Sequence, residues 1–204
     1  MNHRLVLRGI LALAVSLLLS AGAQAQAFRT YLSASGNDAN PCTLVAPCRL
    51  LPAAIAAVID GGEVWMLDSA NYNSGPVSVK KSVTILAVPG ALGSVVALGG
   101  NAIDITTAGV KVTLRNLVIV PLVGGGGTNG IVMTASAASL TVENCLVANM
   151  PGSAAGIYVN AGGASVLVMD TVIRGNWFGL YVANGRATVA RPTVSGGGYG
   201  VGAY

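Results

Sequence analysis

Short apolar–polar alternation recurs along the second half of this chain, in stretches that nearly copy one another. The copies read VTLRNLVI from Val112, LTVENCLV from Leu140 and VLVMDTVI from Val166, with a weaker copy, ATVARPTVS, from Ala187. A glycine-led aliphatic run follows each of them, at Gly130, Gly156, Gly179 and Gly200. Alternation rich in β-branched residues predicts short strands, and repeats of 21 to 28 residues predict a solenoid of stacked units.

Each copy contains two alternating segments separated by a polar bend. In LTVENCLV, Leu140 and Val142 face one side of the strand while Thr141 and Glu143 face the other. Asparagine at the bend tolerates the left-handed backbone conformation, and its amide can bond the next coil. We therefore predict a polar ladder inside the coil, formed by Asn116, Asn144 and Asp170, with Pro192 at the matching position of the weaker copy.

These repeat lengths predict an all-β fold, a single-stranded right-handed parallel β-helix. Coils of 21 to 28 residues hold two or three short strands each. Less regular coils begin near Glu63, Pro76 and Ser94, which gives about five to six coils in total. A left-handed β-helix would need strict hexapeptide periods, and the sequence does not have them.

One segment has a helical rhythm instead. In CRLLPAAIAAVIDGG, apolar residues recur at helical spacing from Leu51 to Val58, Asp60 ends the helix, and Gly61 and Gly62 stop it. An open solenoid exposes the apolar interior of its first coil, so we predict that this amphipathic helix covers that end. The predicted organisation is a strand, disulfide loop and capping helix over residues 28–62, followed by the β-helix over residues 63–204.

Residues 1–27 have the pattern of a signal peptide. Arg4 and Arg8 form a basic start, Ile10 to Leu19 is an uncharged apolar run, and small residues allow cleavage after Ala25 or Ala27. The apolar run is shorter than the roughly 20 residues of a membrane span. We therefore predict a secreted or periplasmic protein with no membrane span after signal removal; a retained N-terminal anchor is the alternative.

Charge and histidine content exclude several functions. The net charge of +4 falls to +2 when Arg4 and Arg8 leave with the signal, and no run of like charges is present, so nucleic-acid binding is not supported. The one histidine, His3, leaves as well, so the mature chain has no histidine base or ligand. No metal site and no cofactor are expected.

Cysteine usage fits an exported protein. Cys42 and Cys48 bracket five residues, and an oxidising compartment favours a disulfide between them. A zinc site is the rival interpretation, but two cysteines without a histidine are too few ligands. Cys145 occupies a repeat position held by Leu117 and Thr171 in other copies, which favours a buried small group over a reactive thiol.

The N-terminal half also carries a resemblance. The stretch from RTYLSASGNDANPCT through APCRLLPAAIAAVIDGGEVWML to SVKKSVTIL resembles the opening of bacterial secreted right-handed β-helix proteins of the pectin-lyase-like superfamily. The asparagine-bearing repeats resemble the generic repeat that follows it there. The resemblance implies the fold, but the superfamily includes lyases, hydrolases, esterases, adhesins and proteins of no known activity, so it does not choose a function.

The catalytic sets that the resemblance implies are not recognisable here. Lyases of this fold combine calcium-binding carboxylates with an arginine or lysine base, and its galacturonan hydrolases cluster aspartates near a histidine. The seven carboxylates of this chain are scattered along the sequence. We therefore predict a binding or structural role, with polysaccharide as the candidate ligand. The alternative is a carbohydrate-active enzyme, a polysaccharide lyase or glycoside hydrolase, with an atypical site.

Two groups of residues are candidates for carbohydrate binding. The repeats place Arg115, Glu143, Met169 and Arg191 at one outward position, where Arg115 and Glu143 in adjacent coils can pair. This row is either a solvated ion pair or a face that binds sugar acids. Aromatic side chains also stack on sugars, and the NWFGLY segment favours Trp177 and Tyr181. Further aromatic candidates are Trp65, Tyr72, Phe178 and Tyr199, and packing over the coil edge is the alternative role for all of these aromatics.

The C-terminal sequence GYGVGAY shows no helix or polar cap after the last predicted coil. A truncated reading frame, packing against another subunit or a missing extension would each account for this pattern. We expect self-association through this end, because it leaves apolar interior and strand edge available. An outer-membrane barrel is a further alternative, but aromatic residues at 5% are too few for two interfacial girdles.

Overall fold

The computed structural model describes residues 26–203, in which parallel strands wind into a β-helix. Every strand pairing in this part of the chain is parallel. Each coil contributes one strand to each of three sheets, and six coils run from the β2–β3–β4 coil to the one that ends in β17. The predicted fold class is confirmed. Residues 1–25 of the predicted signal segment lie outside the described residues, as does Tyr204.

The three sheets form the three sides of the coil. Sheet I contains β1 (Ala27–Leu32), β2 (Val58–Met66), β5 (Val83–Ala87), β8 (Lys111–Arg115) and β11 (Ser139–Glu143). Sheet II contains β3 (Ala70–Asn71), β6 (Gly93–Ala97), β9 (Leu117–Pro121), β12 (Leu146–Ala148), β14 (Val172–Arg174) and β16 (Thr193–Ser195). Sheet III contains β4 (Val77–Val79), β7 (Ile103–Ile105), β10 (Ile131–Met133) and β17 (Tyr199–Ala203). Two long strands, β13 (Ala155–Met169) and β15 (Phe178–Ala190), turn a corner from sheet III into sheet I.

The repeats pair in the register that the sequence predicts. Val112 lies opposite Leu140, and Leu140 lies opposite Val166, so the apolar positions stack along the axis and fill the interior. The glycines that open the sheet III strands are required by close packing between coils. A Cβ on Gly130 or Gly179 would come closer than 3.0 Å to the carbonyl oxygen of the stacked glycine in the next coil.

The N-terminal end is covered as predicted, with one correction. Helix α1 (Leu51–Ala57) buries Leu51, Ala54 and Ile55 and carries a proline in its first turn. It ends one residue before Val58, which is extended and begins β2. An apolar residue at position 58 would be buried both at the end of the helix and at the start of β2. The apolar character of Val58 therefore could not distinguish helix from strand. Asp60 likewise lies in β2, where its carboxylate accepts a hydrogen bond from the Ser82 N–H at 2.7 Å.

The cysteine predictions are confirmed. Cys42 and Cys48 form a disulfide that is almost fully buried beside β1. Cys145 is a buried free thiol whose pKa burial raises to about 11. Its Sγ accepts a hydrogen bond from the Leu117 N–H at 3.4 Å, and its own N–H donates to Thr171 Oγ1 at 3.3 Å. Leu117, Cys145 and Thr171 thus stack in one internal column.

The predicted bends adopt the left-handed conformation, with φ of 57° at Asn116, 51° at Asn144 and 47° at Asp170. The prediction of a polar ladder is wrong in two respects. It lies at the outer corner between sheets I and II, with Asn144 and Asp170 exposed, rather than inside the coil. Its fourth member is Arg191, with φ of 49°, and not Pro192, because Met169 pairs with Ala190.

Candidate functional site

A shallow groove of about 500 Å³ follows the corner between sheets I and II, where strands of sheet I end in left-handed bends. We call it the corner groove. It is lined by Leu86, Pro89, Arg115, Asn116, Glu143, Asn144 and Asp170. The amide of Asn144 donates to Asn116 Oδ1 at 2.8 Å, and the Asn116 amide donates to the Ala87 carbonyl at 3.0 Å. The groove floor is therefore tied together across three coils.

The charges of the corner groove are paired with one another. The predicted pair of Arg115 and Glu143 is confirmed, with Nε 2.7 Å from Oε2. The hydrogen bond from Arg115 to Glu143 raises the pKa of the guanidinium above its ordinary value. Arg191 contacts Asp170 through two hydrogen bonds of 2.7 Å, and this pairing holds the pKa of Asp170 below its usual range. A sugar carboxylate that reached either arginine would compete with the carboxylate already bound there.

The predicted row of outward residues is wrong at its last member. Arg191 lies at the bend and reaches back to Asp170, while Ala190 occupies the position in register with Met169. Arg115 and Arg191 therefore belong to different rows of the same corner. Each arginine has its own carboxylate partner.

All seven carboxylates of the chain have hydrogen-bond partners within the fold. The acceptors and their donors are Asp38 (N–H of Arg49 and Leu50), Asp60 (N–H of Ser82), Glu63 (Arg29 and Trp65), Asp68 (Ser33, Ala34 and Tyr72), Asp104 (Asn101), Glu143 (Arg115) and Asp170 (Arg191). Among residues 26–203, no three His, Cys, Asp or Glu side chains come together as a metal site.

The aromatic candidates near the N-terminus are used for packing. Tyr72 is fully buried, so it is not available for stacking on a sugar. Trp65 carries the Arg29 guanidinium 4.1 Å over its ring and donates its Nε1–H to Glu63 at 2.9 Å. Tyr31 meets the same indole edge-on, with ring centroids 6.4 Å apart.

Five aromatic side chains cluster at the C-terminal end of sheet III. The stacked pairs are Tyr158 with Tyr181 at 5.4 Å, Phe178 with Tyr181 at 4.8 Å and Phe178 with Tyr199 at 5.1 Å between centroids. Trp177 meets Tyr199 edge-on at 6.1 Å. Tyr181 and Phe178 are partly buried in this stack, whereas Trp177 and Tyr199 are 47% and 56% exposed. Trp177 and Tyr199 are therefore the most exposed rings of the cluster.

Trp177 forms one wall of a groove of about 670 Å³, which we call the Trp177 groove. The rest of the lining is mainly backbone, because it consists of Met150, Gly152, Gly175, Asn176, Gly196, Gly197 and Gly198. Asn176 is buried and holds the floor: it accepts from the Met150 N–H at 2.9 Å and donates to the Val147 carbonyl at 3.1 Å. An apolar ring beside accessible peptide groups suits a ligand that has both a C–H face and hydroxyl groups.

The structure thus divides the predicted carbohydrate-binding residues between two places. Arg115, Glu143 and Arg191 lie at the corner groove, while Trp177 and Tyr181 belong to the aromatic cluster on sheet III. Tyr158 was missed, although it lies directly opposite Tyr181 in register and both follow the repeat glycine by two residues. The groove glycines were also missed, because glycine in a turn gives no signal for a ligand.

The paired strands, the capping helix and the corner bends define a parallel β-helix protein. No protein-family model and no curated protein matches the chain. A structure titled rhamnogalacturonan lyase resembles it with 13% sequence identity and a TM-score of 0.41, over 86% of this chain and 62% of that one. In the described part of the chain, no helix is long and apolar enough to cross a membrane.

Proposed function

We propose that this chain is a secreted, non-catalytic β-helix protein that binds polysaccharide at the Trp177 groove. The observation that carries the proposal is the half-exposed Trp177 ring beside a wall of bare glycine backbone. A pyranose ring has an apolar C–H face that can lie on an indole, and hydroxyl groups that can bond peptide N–H and C=O groups. The stacked cluster behind Trp177 lowers the conformational entropy that its side chain would lose on binding.

The engaged carboxylates support binding rather than bond cleavage. Inverting glycoside hydrolysis needs two carboxyl groups facing a shared substrate about 6.5–9.5 Å apart, and retaining hydrolysis needs them about 5–5.5 Å apart. Here the corner-groove carboxylates, Glu143 and Asp170, are each held by an arginine at 2.7 Å. A lyase or hydrolase with an atypical site is the second candidate, favoured by the presence of arginine and carboxylate in one groove.

A binding screen against neutral and acidic polysaccharides, run with three variants, tests the proposal. Trp177→Ala should weaken binding by about tenfold or more, as the loss of an aromatic anchor does. Trp65→Phe is the control for the other indole, and Arg115→Ala with Arg191→Ala tests the corner groove. Binding that survives Trp177→Ala but is lost in the double arginine variant would move the site to the corner groove.

The enzyme alternative is tested on the same protein. Purified chain is incubated with uronate polymers, with and without calcium, while unsaturated products are followed by ultraviolet absorbance and new reducing ends are assayed. Activity that the Arg115→Ala variant abolishes would establish the second candidate and overturn the non-catalytic proposal. No product from any polymer, with Trp177-dependent binding, is the expected result.

Export and self-association belong to the same proposal. The disulfide supports an oxidising compartment, and β1 begins at Ala27, so cleavage after Ala25 would leave this strand whole. At the last described coil, Val189, Tyr199 and Val201 are 41%, 56% and 53% exposed, which supports self-association there. N-terminal sequencing of the exported protein tests the cleavage site.

A further inference from the structure

Asparagine is followed directly by glycine at two places in this chain, at Asn129 with Gly130 and at Asn184 with Gly185. In such a pair the backbone nitrogen of the glycine can attack the amide carbon of the asparagine side chain, because glycine has no side chain that shields it. The fold places the two pairs in opposite environments, so the structure decides which of them can react.

The first pair is held in place by hydrogen bonds. Asn129 Oδ1 accepts a bond from the Ala155 N–H at 2.8 Å, and its amide donates to Asn101 Oδ1 at 3.0 Å. The Gly130 nitrogen, which would have to attack, donates to the Ala155 carbonyl at 3.1 Å, and Gly130 is buried. These bonds must break before the nitrogen and the amide carbon can meet.

The second pair lies at the corner where β15 turns from sheet III into sheet I. Asn184 and Gly185 are both exposed. Among residues 26–203, the Asn184 side chain has no hydrogen-bond partner. Its amide can therefore rotate towards the Gly185 nitrogen without losing a bond.

The corner itself requires the glycine. β15 makes this turn with residues 183–185, where β13 uses residues 160–164, so the turn in β15 is the tighter one. Gly185 has a φ of 128°, and a Cβ there would lie 3.1 Å from the Ala164 carbonyl oxygen. The fold thus keeps at position 185 the residue that leaves Asn184 unshielded.

We propose that Asn184 is a site of spontaneous covalent modification, in which its side-chain amide is converted to a carboxylate. The Gly185 nitrogen gives its proton to solvent base and forms a bond to Asn184 Cγ, and ammonia leaves, which closes a cyclic imide. Water then adds to either carbonyl of this ring and opens it. The product is aspartate, or isoaspartate with the main chain running through Cγ; water is the one co-reactant.

The modification changes the charge of the corner. The new carboxylate lies two residues before Arg186, which has no ion-pair partner among residues 26–203. An exposed pair of this kind contributes little to stability. Isoaspartate adds one backbone atom to a corner that is shorter than the matching corner of β13, so the fold should be kept. Aged protein should therefore contain a folded, more acidic form.

Peptide mapping by mass spectrometry tests the proposal on purified chain incubated at mildly alkaline pH. In the folded protein, Asn184 should convert about tenfold or more faster than Asn129, because the hydrogen bonds of Asn129 must break first. In concentrated urea the two sites should convert at similar rates, since glycine follows each of them. The urea arm therefore separates the effect of the fold from that of the local sequence.

Ion-exchange chromatography of aged variants provides the second readout. Asn184→Gln should remove the acidic form, because the longer side chain closes a less favourable ring, while Asn184→Asp should elute with it and keep the wild-type circular dichroism. Asn160→Gln is the matched control: Asn160 lies opposite Asn184, is exposed and precedes alanine, so the acidic form should persist. Equal conversion of Asn129 and Asn184 in the folded chain, or conversion of Asn184 only in urea, would overturn the proposal.

Discussion

The side-chain amide of Asn144 donates to Oδ1 of Asn116 in the preceding coil, at 2.8 Å. Both residues turn the chain through the left-handed region, with φ of 51° and 57°. One residue type thus satisfies two requirements of the corner, a backbone conformation and a bond along the axis. Since ordinary L-residues lose about 1–2 kcal/mol in this conformation, the bend constrains the sequence strongly.

Replacing Asn144 separates these two contributions. Asn144→Ala should lower the free energy of unfolding by about 1–2 kcal/mol, because the backbone strain rises and the amide bond is lost. Asn144→Gly loses the same hydrogen bond without the strain, so it should cost less. Urea unfolding of both variants measures the difference. Equal stability of the two variants would show that the left-handed bend is not the constraint.

The disulfide should stabilise the capped end. It closes a loop with a sequence separation of 6 beside β1. Cys42→Ala with Cys48→Ala should lower the free energy of unfolding by about 2 kcal/mol in the chain-entropy model. Thermal unfolding with and without reductant provides the comparison, since reductant should affect only the wild-type chain. A double variant as stable as wild type would contradict this role.

Cys145 should behave as a packing residue. Burial raises the pKa of its thiol to about 11, and only 4% of the residue is exposed, so a disulfide reagent should label it slowly in the native state. Labelling should become fast in denaturant. Cys145→Thr should be tolerated, because Thr171 fills the stacked position in the next coil. Rapid labelling of the native chain would contradict this assignment.

Asp68 should make the N-terminal end sensitive to acid. Burial tends to raise the pKa of this carboxyl, but hydrogen bonds from Tyr72, Ala34 and Ser33 outweigh it, so the pKa lies below the ordinary 3.8. The stability it contributes is present above pH 3.8 and is lost as the pH falls through the lower folded value. The melting temperature of Asp68→Asn should therefore change less than that of wild type between about pH 5 and pH 2.

The matched control for this experiment is Asp104→Asn, which removes a carboxylate bonded to one amide, that of Asn101. It should keep the wild-type acid profile. If Asp68→Asn shows the same acid profile as wild type, the network around Asp68 does not account for acid stability. If the change of melting temperature with pH is reduced equally in both variants, a general charge effect accounts for it.

The sequence predicted the coils and bends because each rests on a local preference. Alternation identified the strands, and asparagine identified the left-handed corners at Asn116 and Asn144. Arg191 was misplaced because the bend after Asp170 comes 21 residues later, at Arg191, whereas the alignment placed it one residue further on, at Pro192. The buried turn residues Asn73 and Asn176 were not recognised, because a polar residue in a turn looks the same whether it faces water or the core.

The candidate site was less predictable for a physical reason. The Trp177 groove forms where turns of separate coils meet, so its glycine wall comes from residues 152, 175 and 196–198. No local sequence pattern indicates which turns of separate coils come together.

The most direct test of the central claim is the emission of Trp177 alone. Trp65→Phe leaves one tryptophan, so its fluorescence reports only the proposed groove. Titration with a polysaccharide that the wild-type chain binds should change this emission until the site is saturated. The dissociation constant obtained from the titration should equal that of the wild-type chain. An unchanged Trp177 emission at saturation, together with a response in the converse Trp177→Phe variant, would contradict the account.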